Sequence, residues 1–405
     1  MPSFVLPLIV VLLPLVGLAS LHLFLPVMAP LLTEASGVEP TAFGLVAGAV
    51  GLGSIWFYTA NHSITPALGP VRTLQMGVVL VAIGAALIMS ANFPLVLLGA
   101  TMLGFGYATT TPAGSQIMAN HAPKEYWSTL FSLRQAGVPL GGMIAGAVGG
   151  WLVAQFGWRL ALVAIVLIGI ASSLPLLWAP RDYNEPNGLR PLRLANVIDP
   201  TNLRRPFQAL ALAPGLTRLA LACVGFSMMQ SATFSFFVIY LHDGLGYGLA
   251  LAGTLFAVLQ AASVMGRVVF GLIADRIGSP RLVLIGLSVG SATAALLLAG
   301  LGPGLGTPLL VLAALFVGIS VATWNGLYLG EAARLAPPNA VSETAAGTTF
   351  FVFLVYTVTP PIFGFLINRY GYSSAFLVGA GGAVFSCVVL LLGGRAEPAP
   401  RRDKT

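Results

Sequence analysis

Long apolar runs recur from one end of the chain to the other, separated by short stretches rich in polar residues, glycine and proline. Each run has roughly 20 residues or more, the length that an α-helix needs to cross a bilayer. The strands of a membrane barrel would instead alternate apolar and polar positions over short segments. The pattern predicts an all-α membrane protein with twelve transmembrane helices, at 4–32, 40–61, 72–91, 94–120, 127–155, 158–179, 215–241, 248–274, 281–301, 305–333, 342–368 and 372–393.

The composition excludes a soluble globular protein. Of the 405 residues, 57% are hydrophobic and 8% are charged, and the mean hydropathy is +0.92. A soluble core could not bury that much apolar surface at this length. Cys223 and Cys387 lie in predicted helices without metal-ligand or redox spacing, so we expect packing residues. No nucleophile–base pair, metal cluster or nucleotide loop is visible, and the sequence therefore predicts no enzyme and no cofactor.

The basic residues are distributed unevenly between the two sides of the predicted helices. Fifteen of the 19 Lys and Arg fall in the loops on the side of the termini, two fall on the opposite side, and Arg134 and Arg267 lie within helices. Because loops rich in Lys and Arg stay cytoplasmic, both termini are predicted to be cytoplasmic, in a multi-pass protein of a bacterial inner membrane. The net charge of +7 thus reports topology and does not require a nucleic-acid partner.

Internal similarity divides the chain into two halves. With an offset of 209 residues the second helix and its following loop align with the eighth, and with an offset of 214 the fourth to sixth helices align with the tenth to twelfth. Such repeats are typical of transporters built from two pseudo-symmetric bundles. We expect a six-helix bundle at 1–180, a cytoplasmic linker at 181–214 with a short interfacial helix near 203–212, a second six-helix bundle at 215–394 and a cytoplasmic tail at 395–405. The matched pairs include Ser54 with Ser263, Arg72 with Arg281, Gly104 with Gly318, and Thr109 with Thr323.

The segment GLIADRIGSPR at 271–281 carries the clearest motif. It resembles the G-x-x-x-D-R-x-G-x-x-R signature of the major facilitator superfamily, and the duplicated twelve-helix plan resembles that superfamily over essentially the whole chain. The resemblance implies the two-bundle fold of that superfamily and a latch at the cytoplasmic face. Asp275 would accept hydrogen bonds from Arg276, from Arg281 or from the amides of a neighbouring helix amino terminus; alternatively these charges only anchor a solvated loop. The latch motif comprises Gly271, Asp275, Arg276, Gly278 and Arg281.

The corresponding segment between the second and third helices departs from this signature. His62, Pro66 and Ala67 stand at the positions of the first Gly, the Asp and the Arg, and only Gly69 and Arg72 remain. The sequence therefore does not support a charged gate at that position.

Arg267 places a charge inside a helix of hydrocarbon length. It lies eight residues before Asp275, which is about 12 Å deeper in the membrane at ~1.5 Å per residue. Arg134 lies roughly two turns into the fifth predicted helix. No Asp or Glu is clearly in the middle of a helix, so this positive charge favours an anionic ligand. The alternative is that each arginine snorkels or binds backbone carbonyls.

Arg267 also carries a narrower resemblance. It stands four residues before Gly271, a spacing similar to that in monocarboxylate transporters and oxalate:formate antiporters, where the arginine of the eighth helix pairs with the substrate carboxylate. The patterns GFGYATTTPAG at 104–114 and AGVPLGG at 136–142 are similar to that branch too. Two departures bear on proton coupling: Ser263 stands where some members carry an aspartate, and the first helix carries no lysine.

Polar and aromatic residues at helix centres are further candidates for the site. Tyr107 and Asn325 offer hydrogen bonds to a carboxylate or hydroxyl, and Trp324 offers an apolar surface. His22 is either a proton carrier or a neutral histidine bonded between helices. Helix packing is the alternative for each of the others. The candidate substrate-binding residues are Arg267, Arg134, Tyr107, Tyr328, Asn325 and Trp324, with Tyr356 as a further cavity residue.

These features predict a secondary active transporter that moves a small organic anion, a mono- or dicarboxylate, by alternating access. Proton coupling and the direction of flux stay open. One alternative is a drug or amphiphile exporter of the same superfamily, which AGVPLGG favours and the lack of a deep carboxylate disfavours. Another is a non-transporting membrane receptor or scaffold. The expected partners are the anion, protons if transport is coupled, and membrane lipid, and a single chain of this type can work as a monomer.

Overall fold

The computed structural model describes residues 4–38, 43–184 and 192–392 and is helical almost throughout them. The predicted tail at 395–405 and the linker residues 185–191 lie outside the described residues. The long helices are α1 (Val5–Ala35), α2 (Phe43–Leu68), α3 (Pro70–Ile88), α4 (Phe93–Ala108 and Thr110–His121), α5 (Trp127–Gln135, Gly137–Met143, a π-helical segment Ile144–Gly149 and the start of Gly150–Ser172), α6 (the remainder of Gly150–Ser172), α7 (Leu216–Ile239), α8 (Leu249–Ile277), α9 (Pro280–Gly300), α10 (Thr307–Val321 and Trp324–Leu335), and α11 and α12 (the two parts of Val341–Leu392).

Two helical segments change direction at a glycine. Val341–Leu392 has 52 residues and turns at Gly371, where φ is 82°; Gly150–Ser172 turns at Gly157, where φ is 77°. Glycine adopts this left-handed conformation without the steric penalty of a side chain. Ten segments in the described residues are long and apolar enough to span a membrane. With α2 and the division at Gly371, they confirm the twelve predicted helices.

The same close contact between helices occurs once in each half. A Cβ added to Gly104 in α4 would overlap the carbonyl oxygen of Val50 in α2, and a Cβ added to Gly318 in α10 would overlap that of Leu259 in α8. The glycines are related by the offset of 214 residues and the carbonyl residues by the offset of 209. Small residues allow helices to approach this closely in lipid. Both sequence registers therefore describe one packing unit that is present twice.

This contact predicts a selective loss of stability. Gly104→Ala should destabilise the protein by about 1–3 kcal/mol, because α2 and α4 must move apart to accommodate the added methyl group. Gly253→Ala in α8 is the matched control, since a Cβ there meets no other atom within 4 Å. Thermal unfolding of both variants in detergent measures the difference, and equal midpoints would contradict the close-contact interpretation.

The buried apolar residues form a core in each half and a third cluster that joins the halves. In the third cluster Trp127 and Phe131 of α5 belong with Ala274 of α8 and with Leu327 and Trp324 of α10. These residues lie on the side of the membrane whose loops hold most of the Lys and Arg, which we call the basic side. The two halves are therefore packed together on the basic side.

The linker crosses from one half to the other on this side. It contains the short helices Leu194–Ile198, Pro200–Arg204 and Arg205–Leu210. The last of these lies at the position of the short helix predicted near 203–212, whose place in the membrane interface stays a prediction. The indole Nε1 of Trp56 in α2 donates a hydrogen bond to the carbonyl oxygen of Val197 at 2.8 Å. The linker also packs closely on α11, because a Cβ added to Gly347 of α11 would overlap the side chain of Ala209 in the linker.

Candidate functional site

Helices α4 and α10 are interrupted within the membrane at corresponding places. The helical hydrogen-bond pattern is interrupted at Thr109 in α4, where the backbone angles stay helical, and at Ala322 and Thr323 in α10, where φ of Ala322 is −110°. The offset of 214 relates Thr109 to Thr323. We call both places breaks. A break frees backbone carbonyls from their hydrogen bonds within the helix, and inside a membrane these groups need another donor. One of the two intramembrane arginines lies at each break.

Arg134 of α5 lies at the break in α4, and its side chain is fully buried. Its Nη2 donates to the carbonyl oxygen of Thr110 and, at 3.4 Å, to that of Thr111. Its Nη1 donates to the hydroxyl of Ser115 at 3.4 Å. The Nε atom is buried without a hydrogen-bond partner among the described residues. The guanidinium is therefore held by neutral oxygens and retains an unsatisfied donor.

Arg267 of α8 lies at the break in α10 and is also buried. Its Nε and Nη2 donate to the carbonyl oxygen of Ala322 at 3.1 and 2.8 Å, and its Nη1 donates to the carbonyl oxygen of Gln135 in α5. Ala322 belongs to the second half and Gln135 to the first. Arg267 therefore joins the two halves through its side chain.

Neither guanidinium has a carboxylate partner in the described part of the chain. All their hydrogen bonds go to backbone carbonyls or a hydroxyl. Within the same residues, no group of three or more His, Cys, Asp or Glu could hold a metal ion. Two uncompensated positive charges inside the membrane therefore define the chemistry of this region, and they favour an anion.

Tyr107 of α4 lies near both arginines, close enough for the charges of Arg134 and Arg267 to act on it. His22 of α1 stacks on Tyr107, with ring centroids 4.5 Å apart and an interplanar angle of 6°. The Nδ1 atom of His22 is buried and has no hydrogen-bond partner in the described structure. The structure thus brings four of the predicted residues into one central region.

Two aromatic residues that the sequence analysis did not name, Tyr58 and Phe353, lie in the same region as the predicted cavity residue Tyr356. The ring of Phe353 in α11 is 5.3 Å from Tyr58 of α2, 6.4 Å from Tyr107 and 6.5 Å from Tyr356, measured between centroids. The offset of 209 relates Tyr58 to Arg267, so the internal repeat held the signal that could have identified Tyr58. Phe353 carries no comparable signal in the sequence.

Trp324, Tyr328 and Asn325 lie just beyond the break in α10. Trp324 is fully buried; its Nε1 donates to Oε1 of Gln230 in α7 at 2.9 Å, and its ring lies 5.6 Å from that of Tyr328. Tyr328 lies beside Cys223 of α7. The Oδ1 atom of Asn325 is buried without a partner among the described residues. Trp324 and Tyr328 thus pack against α7, next to the carbonyl group that Arg267 binds.

The latch motif makes its contacts between the halves. Asp275 of α8 accepts hydrogen bonds from the backbone amides of Ser128 and Thr129 at 3.1 and 2.8 Å, at the amino terminus of α5, where the helix dipole favours negative charge. It also forms an ion pair with Arg334 of α10 at 3.2 Å. A Cβ on Gly271 would lie 2.8 Å from Cα of Thr129.

The two latch-motif arginines, Arg281 and Arg276, differ in their surroundings. Arg281 donates from Nε to the carbonyl oxygen of Leu390 at 2.8 Å and from Nη2 to that of Leu391 at 3.2 Å, at the end of α12. Arg276 is exposed. Gly278 ends α8 with φ at 70°. Of the predicted partners, Asp275 therefore uses the helix amides, and the ion pair goes to Arg334, which the sequence places only among the basic loop residues.

The corresponding contact in the other half is neutral. Asn61 of α2 donates from Nδ2 to the hydroxyl of Ser342 at 3.1 Å and to its carbonyl oxygen at 3.3 Å, and the hydroxyl of Thr65 donates to Oδ1 of Asn61 at 2.6 Å. The offset of 214 relates Ser128 to Ser342. At the amino terminus of α11 the contact is thus made by the side-chain amide of Asn61, which is not the repeat equivalent of Asp275, since that position holds Pro66.

The sequence and the fold of the chain were compared with those of known proteins. The model of the Major Facilitator Superfamily matches residues 10–355. An uncharacterized MFS-type transporter of Mycobacterium tuberculosis is 24% identical over 372 residues, which cover 88% of this chain and 79% of that protein. The cis,cis-muconate transport protein of Acinetobacter baylyi is 25% identical over 292 residues, covering 69% and 66% respectively. The structure of the human organic anion transporter MFSD10 superposes with a TM-score of 0.78 at 16% identity, covering 96% of this chain and all of that one.

Proposed function

The chain belongs to the Major Facilitator Superfamily, and on that premise we propose that it transports a small organic anion, a mono- or dicarboxylate, by alternating access. The observation that carries the proposal is the pair of buried guanidinium groups, Arg134 and Arg267, which are bonded to neutral oxygens. Buried charge without a counterion is costly. A carboxylate bound between the halves supplies that counterion and forms charge-assisted hydrogen bonds.

The two arginines have different parts in this proposal. A guanidinium has five N–H groups, and Arg267 uses three of them on Ala322 and Gln135, so two remain for a carboxylate. Arg134 has an unsatisfied Nε and supplies a second positive charge, which favours a dicarboxylate. Tyr107, which lies near both, donates its hydroxyl to the anion.

The remaining candidates shape the site or carry protons. Trp324 and Tyr328 hold the broken part of α10 against α7, so that the carbonyl of Ala322 stays in reach of Arg267. Asn325 offers its side-chain amide to the substrate. His22, stacked on Tyr107 with a free Nδ1, is the group through which a proton would be coupled to the anion.

The contacts between the halves describe one state of the transport cycle. Arg267 with Gln135, and Asp275 with the amides of α5, close the basic side, so the substrate enters from the opposite side. Binding of an anion neutralises Arg267 and weakens its hold on Gln135, and the two halves then separate on the basic side. We take the basic side, with both termini, to be cytoplasmic in a bacterial inner membrane.

The named relatives support an anionic substrate. Cis,cis-muconate, for which the Acinetobacter baylyi protein is named, is a dicarboxylate, and the human structure is that of an organic anion transporter. Export of amphiphiles is the second candidate, because Tyr58, Phe353 and Tyr356 give the central region an aromatic surface. The uncompensated arginines count against cationic amphiphiles.

A thermal-unfolding screen of the detergent-purified protein tests the proposal. Mono-, di- and tricarboxylates, sugars and lipophilic cations are compared, with the methyl ester of each carboxylate as a neutral control of similar shape. A carboxylate at roughly 100 times its dissociation constant should stabilise the folded state by about 2.7 kcal/mol, and its ester should not. Stabilisation by lipophilic cations alone would contradict the anion proposal and favour the exporter.

A further inference from the structure

The linker presents large apolar side chains on its outer surface. Leu194 is 75% exposed and Phe207 is 60% exposed, and Ile198 and Leu203 are exposed as well. Val197, by contrast, is buried against α2. Apolar residues on one side of short helices next to a transmembrane helix are typical of a segment that lies in the membrane interface. The outer surface of the linker is therefore suited to contact lipid.

A groove separates the linker from α2. It has a volume of about 240 Å³ and is lined by Leu52, Ile55, Trp56 and Thr59 of α2 and by Val197, Ile198, Asp199, Pro200 and Leu203 of the linker. The hydrogen bond from Trp56 to Val197 fixes the indole at the wall of this groove.

Two residues that line the groove, Leu52 and Trp56, belong to an exposed apolar stripe on α2. Leu45, Leu52 and Trp56 are exposed, and their spacing of seven and four residues places them on one stripe of the helix. A tryptophan at the end of such a stripe is typical of the membrane interface. An acyl chain lying on α2 can thus enter the groove without crossing a polar surface.

The charges on the linker favour an anionic headgroup. Arg193, Arg204 and Arg205 are exposed, and Arg193 and Arg204 are adjacent in sequence to the exposed Leu194 and Leu203. Arg205 lines a neighbouring polar pocket together with His62 and Glu343. Arg193 and Arg204 do not line the groove, but they flank its linker wall in sequence and are exposed, so they are the arginines of the linker available to a headgroup beside it.

One carboxylate opposes this charge. The side chain of Asp199 lines the groove and accepts a hydrogen bond from the backbone amide of Thr201 at 2.8 Å, which uses part of its acceptor capacity as a cap of the helix Pro200–Arg204. The described linker, 192–210, holds three arginines and this one acidic residue, so its net charge stays positive.

We propose that the groove between α2 and the linker binds an anionic phospholipid of the leaflet on the basic side, with an acyl chain against Trp56 and Leu203 and the phosphate on Arg193 and Arg204. Because the linker also packs on α11 through Ala209 and Gly347, the lipid lies where the linker joins the two halves. The inference does not depend on the transported substrate.

Quenching of Trp56 by brominated lipid tests the inference. The full chain is reconstituted in phosphatidylcholine vesicles with a minor fraction of phosphatidylglycerol, and the bromine is placed on the acyl chains of one lipid or, at equal mole fraction, of the other. The protein has six tryptophans, so the Trp56→Phe variant measures the signal of the other five. The difference in quenched fluorescence between the unaltered protein and this variant gives the quenching of Trp56 alone.

Brominated phosphatidylglycerol is expected to quench Trp56 more strongly than brominated phosphatidylcholine does. Each arginine should contribute roughly a fivefold preference for the anionic lipid, so the double variant Arg193→Gln, Arg204→Gln should lose most of the preference. Arg72→Gln with Arg218→Gln removes the same charge outside the linker and should leave the preference unchanged. Equal quenching by the two lipids, or an equal loss in both double variants, would overturn the inference.

Discussion

Replacing Arg267 with glutamine is expected to remove nearly all carboxylate binding. Losing one partner of a buried, hydrogen-bonded charge pair costs about 2–5 kcal/mol, which corresponds to roughly 30-fold to several-thousand-fold in affinity. Arg267→Lys keeps the charge but loses the planar arrangement of donors that fits a carboxylate. It should therefore recover only part of the affinity. Titration of the purified variants with the strongest carboxylate from the thermal screen measures both effects.

The second role of Arg267 makes a matched control necessary. Arg267 also joins the halves through Gln135 and Ala322, so its replacement could weaken binding by changing the population of conformations. Arg159→Gln is a suitable comparison, because Arg159 also donates from Nε to a backbone carbonyl, that of Met89 at 3.2 Å, but is exposed. Unchanged affinity in the Arg267 variants would eliminate this residue as the substrate ligand. Loss of affinity in both Arg267 and Arg159 variants would point to general charge instead.

A charge within an apolar run is conspicuous, and for this reason the sequence predicts the intramembrane positions of Arg134 and Arg267. Backbone carbonyls were one of the predicted alternatives, but which carbonyls these residues bind could not be predicted. Their partners are carbonyl groups at two helix breaks, and the residues at the breaks, such as Thr109 and Thr323, are equally compatible with a continuous helix. Backbone carbonyls, the alternative to a substrate anion in the sequence analysis, are the partners that the structure shows.

The ion-pair partner of Asp275 could not be predicted from the sequence either. Nearness in sequence suggested Arg276 and Arg281, whereas the ion pair is made with Arg334, because the end of α10 lies beside that of α8. Proximity across helix ends depends on the packing of whole bundles, which no local pattern encodes. The twelve helices themselves could be predicted, since length and hydropathy alone decide whether a helix spans the membrane.

The charged and the neutral contact on the basic side lie at corresponding helix ends, because the internal repeat relates Ser128 to Ser342, but they differ in strength. A carboxylate on two helix amides and an arginine, as at Asp275, makes charge-assisted bonds, whereas Asn61 makes neutral ones to Ser342. Charge-assisted hydrogen bonds are roughly twice as strong as neutral ones. The contact of α5 with α8 and α10 should therefore determine how firmly the basic side is closed.

Gly326→Val is expected to open the basic side. Gly326 of α10 packs so closely on α5 that an added Cβ would overlap Cα of Ser132, so the valine side chain cannot be accommodated while the halves are closed. Overpacking of this kind costs about 1–3 kcal/mol. Because only the closed state bears this cost, the ratio of open to closed molecules should rise roughly 5- to 150-fold. The variant should remain folded, since the clash lies between the halves and not within either core.

Cysteine labelling measures this shift. In a protein without Cys223 and Cys387, the substitution Gly330→Cys places a thiol in α10 opposite α5, where a Cβ lies 3.6 Å from Cα of Ser128 and is in ordinary contact. Gly326→Val should accelerate the labelling of this thiol from the basic side in proportion to the open population. Gly286→Val is the control, because a Cβ at Gly286 meets no other atom within 4 Å. If Gly326→Val left the labelling rate unchanged, the close contact between α5 and α10 would not be what closes the basic side. The structure could then no longer be assigned to the state that is closed on the basic side.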